Sequence, residues 1–223
     1  MPINYPFVHT EWETLKQMLL GKSIARYGDG EFNIVKGGNC VSQVGHVELT
    51  DELKKILKSD NDKCLIGIPN MTEDSPKAAN WNKYKQKYAT FMNPKKIYYS
   101  SFITRPDSAP WIDTELYWTM TEDLWRGKDV VLVHGGERSL RPEMMTSAHK
   151  LVEVISTRRD AFFEIDKLEK EIKSHGIQRV IMCLGATATC LAHRLSLQDF
   201  HALDVGHIGM FMRKKGQYHA ITK

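Results

Sequence analysis

Short apolar runs alternate with amphipathic stretches along nearly the whole chain, and a chain built that way has few folds open to it. Thr10 and Glu13 stand at capping-box spacing ahead of Trp12, Leu15, Leu19 and Leu20, which predicts a helix over 11–20. Residues 23–27 read as a short strand, and Thr50 reads as the cap of a helix carrying Leu53, Ile56 and Leu57. Cys64-Leu65-Ile66-Gly67-Ile68 then forms a buried strand stopped by Pro69. The same reading predicts a helix over 78–92, a strand over 96–100, a helix over 113–126 with Leu116, Met120 and Leu124 as its core stripe, and a strand over 129–133. Residues 151–155 are a further strand, Asp160 caps a helix through Ile172, and a strand over 179–184, a helix over 187–197 and a strand over 202–205 complete the series. Seven apolar strands separated by amphipathic helices need a sheet covered on both faces. The expectation is an α/β fold: a single Rossmann-like domain over residues 1–223, with an open, mostly parallel sheet.

Composition narrows the partners. Lys plus Arg is 31 against 27 Asp plus Glu, a formal charge of +4. That favours small anions over nucleic acid, and no basic stripe with interleaved aromatics marks a long polyanion site. The four cysteines, Cys40, Cys64, Cys183 and Cys190, contain no C-x-x-C pair, so neither a zinc knuckle nor a disulfide framework is expected. Met1 to His9 lacks the features of a signal peptide, and no apolar run approaches the ~20 residues of a spanning helix. The expected location is the cytoplasm. Asn70-Met71-Thr72 matches a glycosylation sequon and is read as chance.

In parallel α/β sheets ligands bind beyond the carboxyl ends of the strands, so the residues just after each strand are the first candidates. Gly28-Asp29-Gly30-Glu31 follows the first, with Arg26 just upstream. Two carboxylates converging from a tight turn suit a hard divalent cation, Mg2+ or Mn2+, able to neutralise a diphosphate leaving group. Leu184-Gly185-Ala186-Thr187-Ala188-Thr189 joins a strand to a helix through small residues, which lets helix-start amides approach a phosphate. It is neither a Walker loop nor a three-glycine dinucleotide fingerprint. His207, after Asp204-Val205-Gly206, could ligate metal, bond a phosphate or act as a base, with Asp204 as its partner. Arg105, held extended before Pro106, suits an anionic group. His134 and Glu137 flank a Gly-Gly turn and, with Trp111, are candidates for contact with an acceptor.

Taken in order, several segments resemble the bacterial GT-D type glycosyltransferases, formerly a domain of unknown function and represented by enzymes that extend glycans on adhesins. The likeness rests on Ile24 to Phe32, Gly67-Ile68-Pro69, Thr104-Arg105-Pro106, Asp160-Ala161-Phe162, Leu184 to Ala188 and Ala202 to Ile208. It implies a metal-dependent transferase that moves a hexose from a nucleotide diphosphate sugar, UDP-linked, to a glycan or glycoconjugate hydroxyl. It further implies that Asp29 and Glu31 hold the divalent cation, and that Arg26, Gly185, Thr187, Ala188 and His207 belong to the donor site, to which Gly28, Arg105 and Asp204 are added as candidates from their positions after the strands. Ala186 stands where the family commonly has proline. A sugar-nucleotide-binding module without turnover, a metal-dependent phosphohydrolase, and a transferase acting on modified DNA are the alternatives.

Overall fold

The computed structural model describes residues 4–71 and 78–215. Its elements run α1 (Glu11–Leu19), β1 (Ser23–Arg26), α2 (Asp29–Val35), α3 (Val47–Leu57), β2 (Cys64–Ile68), α4 (Ala78–Ala89), β3 (Tyr99–Ser100), α5 (Glu115–Glu122) and β4 (Asp129–His134). After these come β5 (Lys150–Ile155), α6 (Ile165–Ser174), β6 (Arg179–Cys183), α7 (Ala186–Ser196), β7 (His201–Asp204) and α8 (Ile208–Met212). The strands form one sheet in the order β3-β2-β1-β7-β6-β4-β5, and every pairing is parallel.

The pleat divides the core in two. Along β4, Val131 and Val133 face a cluster with residues of α2, α3, α6 and α7, while Val130 and Leu132 face a second cluster with residues of α1, α5 and α8. Helices therefore cover both faces, as the near-continuous apolar strands require. Among the described residues no helix is long and apolar enough to cross a membrane. All four cysteines are free.

Four local expectations are corrected. Gly28 to Glu31 is not a tight turn but the start of α2, with Gly28 as N-cap. Thr50 lies inside α3, which starts at Val47, and its hydroxyl donates to Ile34 O at 3.2 Å. Asp160 does not cap by its side chain: it sits at φ 57°, and its Oδ1 accepts from Val44 N at 2.7 Å, tying the 40–45 loop to the loop after β5. In α5 the buried face is Tyr117, Trp118 and Thr121; of the expected stripe Leu116 is 62% exposed, while Leu124, just past the helix, is buried and Met120 packs against the same cluster. The aromatic stripe buries more area than the Leu/Met stripe one position away, and it sets the helix phase. Asn70 is buried and donates to Glu11, so it is no glycan acceptor here; the sequon's Thr72 lies outside the described residues.

Candidate active site

The connection after β4 leads outward to β5, while that after β6 leads through α7 to β7 on the opposite side. Strand order thus reverses between β4 and β6, and a crevice is expected beyond their carboxyl ends. A cleft of about 490 Å³ lies there. Its walls are the loop after β4, from Gly135 to Ser139, and the neighbouring loop after β5, from Thr157 to Arg159; Gly185 and His207 complete it, with Ser42 from the 40–45 loop.

The walls are held from behind. A Cβ at position 135 would lie 2.6 Å from Thr157 O, so the two loops meet this closely only because that residue is glycine. Ser139 Oγ donates to Cys183 O at 3.2 Å, and Met210 N donates to Arg138 O at 3.2 Å. Behind the loop after β5, Glu164 accepts from Thr157 N at 2.8 Å and from Ser156 Oγ at 2.9 Å; these bonds hold its carboxyl below the usual carboxylate range. Gly185 is the N-cap of the 11-residue α7, so the positive end of that helix opens on the cleft.

The expected residues are distributed unevenly about this cleft. His207, Gly185 and Glu137 line it. The His207 imidazole is pushed down to about 4, first by the desolvation of its surroundings and then by the positive fields of Arg26, Arg105 and Arg138, against an opposing pull from Asp29. It is therefore neutral at pH 7, and Asp29 belongs to the same neighbourhood. Asp29 is exposed on the first turn of α2. Glu31, two residues on, turns inward: Oε2 accepts from Gly28 N at 2.8 Å, half of a capping box, and burial followed by the charge of Asp204 raises its carboxyl to about 7.

Thr187 and Ala188 are buried inside α7, with Thr187 Oγ1 donating to Gln43 Oε1 at 3.3 Å, so their side chains do not reach the cleft. Arg26 is a brace. Its Nε donates to Asp204 O at 2.6 Å, Nη2 to Asp204 Oδ1 at 3.0 Å, and Nη1 to Ser101 O at 3.1 Å and Thr104 Oγ1 at 2.6 Å. Asp204 is buried, which raises its carboxyl against the lowering pull of Arg26. Gly206 completes the packing, because at φ 50° a Cβ there would stand 2.1 Å from Arg26 Nη2. Arg105 forks onto Asp107 with two bonds of 2.8 Å and lies over the Phe211 ring. His134 is buried at the end of β4, 3.1 Å from Glu153 Oε2, and Trp111 donates to Glu11 Oε2 at 3.2 Å; neither lines the cleft.

Whether a divalent cation fits depends on Asp29 and Glu31. On a helix, residues two apart diverge, and one oxygen of Glu31 is already bonded to Gly28 N. Among the described residues no group of three or more His, Cys, Asp or Glu is placed to hold a metal. Those two carboxylates alone make no cage, so an ion held by them would have to take its other ligands from phosphate oxygens and water.

Sequence reasoning passed over Arg158 and Arg159. Arg138, Arg158 and Arg159 all line the cleft. Arg158-Arg159 follows the fifth strand directly, and the same rule that singled out residues after the other strands finds them when applied there.

A sequence model of the glycosyltransferase GT-D fold matches residues 24–212. The chain belongs to this family. The GT-D chain is 27% identical over 206 residues to a probable glycosyl transferase Gly of Streptococcus gordonii, a match covering 84% of this chain and 30% of that protein. It is 25% identical over 200 residues to the glycosyltransferase GlyD of Streptococcus pneumoniae serotype 4, covering 83% and 25%. The chain thus spans less than a third of the curated relatives it matches. Among solved structures, a domain of unknown function 1792 described as having a distinct glycosyltransferase fold superposes with a TM-score of 0.86 at 24% identity, over 97% of this chain and 84% of that one. A glycosyltransferase of the same domain type from Streptococcus sanguinis gives a TM-score of 0.83 at 24% identity, over 96% and 86%.

Proposed function

We propose that this GT-D chain is a glycosyltransferase that moves a hexose from a nucleotide diphosphate sugar, UDP-linked, to a hydroxyl of a glycan or glycoconjugate. The observation that carries this is the cleft at the sheet's switch point, lined by three arginines, the start of α7 and His207, whose imidazole feels the charge of Asp29, exposed on the first turn of α2. A diphosphate has the charge and size for the first part, and a cation riding on it has a use for the second.

Asp29, with the remaining oxygen of Glu31, would hold Mn2+ or Mg2+, and the ion when bound would offset charge on the departing diphosphate. His207 has a role of its own. Its imidazole, held neutral by its surroundings, would be pulled toward protonation by the negative charge of a bound diphosphate and could then donate to a phosphate oxygen. Arg26 and Asp204 fix the end of β7, and with it the turn that presents His207.

The test is a donor screen: UDP-sugars with Mn2+ and candidate hydroxyl acceptors, read by mass spectrometry with and without chelator. Transfer, or slow donor hydrolysis, that needs the ion supports the proposal. Saturable binding with neither product would instead make the chain a sugar-nucleotide-binding module.

A further inference from the structure

Three guanidinium groups line the cleft against one carboxylate, Glu137. That carboxylate is already engaged, since Arg158 Nη1 lies 3.2 Å from Glu137 Oε1. Among the described residues no carboxylate lies within ion-pair distance of Arg138 or Arg159, and both line the same cavity. Both guanidiniums thus bring positive charge to one cavity, and an entering anion would supply the counter-charge.

The backbones that carry them are anchored independently. Arg138 O accepts from Met210 N at 3.2 Å; beyond Arg159, Asp160 N donates to Ser42 O at 2.9 Å. Gly185, at the mouth of α7, lies on the same cavity and adds the positive end of a helix without a side chain in the way. Arg138 is also among the charges that depress His207, on which Asp29 acts with the opposite sign.

We propose that Arg138 and Arg159 clamp the diphosphate of the donor, so that the chain's own cations, and not a metal alone, receive the charge of the leaving group. This rests on the sugar-nucleotide function proposed above and extends it. As the bond from the anomeric carbon to the phosphate oxygen breaks, its electron pair stays on that oxygen and adds one negative charge to the diphosphate. The acceptor oxygen bonds to the anomeric carbon and its proton passes to solvent. The guanidiniums are then more strongly engaged with product than with donor.

Titration calorimetry on the full chain tests this with UDP, inorganic pyrophosphate and uridine as probes, in chelator and then with Mn2+. The wild type is expected to bind UDP even in chelator, and uridine far more weakly. Arg138→Gln and Arg159→Gln should each weaken UDP about tenfold or more, the worth of a charge-assisted hydrogen bond, with a larger loss in the double variant. Arg158→Gln, whose charge is spent on Glu137, should lose less than either. Far-UV circular dichroism checks that these surface variants stay folded. If Arg138→Gln and Arg159→Gln bind UDP as tightly as wild type while Asp29→Asn loses Mn2+-dependent binding, the clamp is overturned and the donor assignment survives. If wild type binds neither UDP nor UDP-sugars under any condition, the donor assignment falls and the clamp with it.

Discussion

Replacing Arg26 by methionine keeps the aliphatic stem and removes the fork that joins β1, β7 and the Ser101–Thr104 turn. Four bonds are lost, and the Asp204 carboxylate, only 3% exposed, keeps its other donors but no cation. Breaking one side of a buried pair costs about 3–5 kcal/mol, chiefly because the remaining charge is stranded. For a chain of this size each kcal/mol moves the melting temperature by about 2–4 °C, so a loss of about 10 °C is expected. Two further features separate a stranded charge from lost packing. Arg26→Met with Asp204→Asn should be less destabilised than the two single variants added together. The cost should also shrink on acidification: Asp204 already has a raised carboxyl, removing Arg26 raises it further, and a group whose folded pKa is raised is most stable when protonated. Urea unfolding followed by tryptophan fluorescence at pH 8 and pH 5 measures all of this. A cost under about 1 kcal/mol, or strict additivity, would refute the brace.

Tyr117→Ala should cost about 3–5 kcal/mol in urea unfolding, whereas Leu116→Ser, on the exposed side of α5, should stay within about 0.5 kcal/mol. Gly135→Ala should destabilise by about 1–3 kcal/mol and loosen UDP binding in the same calorimeter, because its methyl group forces apart the walls carrying Arg138 and Arg159. His201 is pushed from 6.5 to about 4, first by burial and then by Arg179, so the unfolded chain binds the proton more readily. Its contribution is present above pH 6.5 and lost as pH falls toward 4, by at most ~3 kcal/mol, and His201→Gln should flatten the stability profile across that window.

The strands were legible because β2, β4 and β6 are short, apolar and buried on both faces, so composition alone marks them. Two consecutive residues of β3 carry too little pattern to bound a strand, and the expected 96–100 shrank to Tyr99–Ser100. The start of α2 was misread because Gly28 and Gly30 resemble a turn; the signal for a helix was Gly28 followed three residues later by Glu31, the acid that closes back on the cap. Polar residues with several uses were the hardest to place. Arg26 and Asp204 were recognised as important, but sequence cannot show that each is largely consumed by the other. His134 sat at the right strand end and faced Glu153 rather than the cleft. Arg138 and Arg159 come to one cleft only through the β4–β5 pairing, which is a tertiary fact.

The most direct test of the site is donor turnover in Asp29→Asn beside wild type, with the double arginine variant as companion, using UDP-sugar, Mn2+ and mass spectrometry. The expected result is a loss of metal-stimulated transfer or hydrolysis in Asp29→Asn, with melting temperature close to wild type because that side chain is exposed on α2. Unaltered metal-dependent turnover in both variants would contradict the placement of the donor in this cleft.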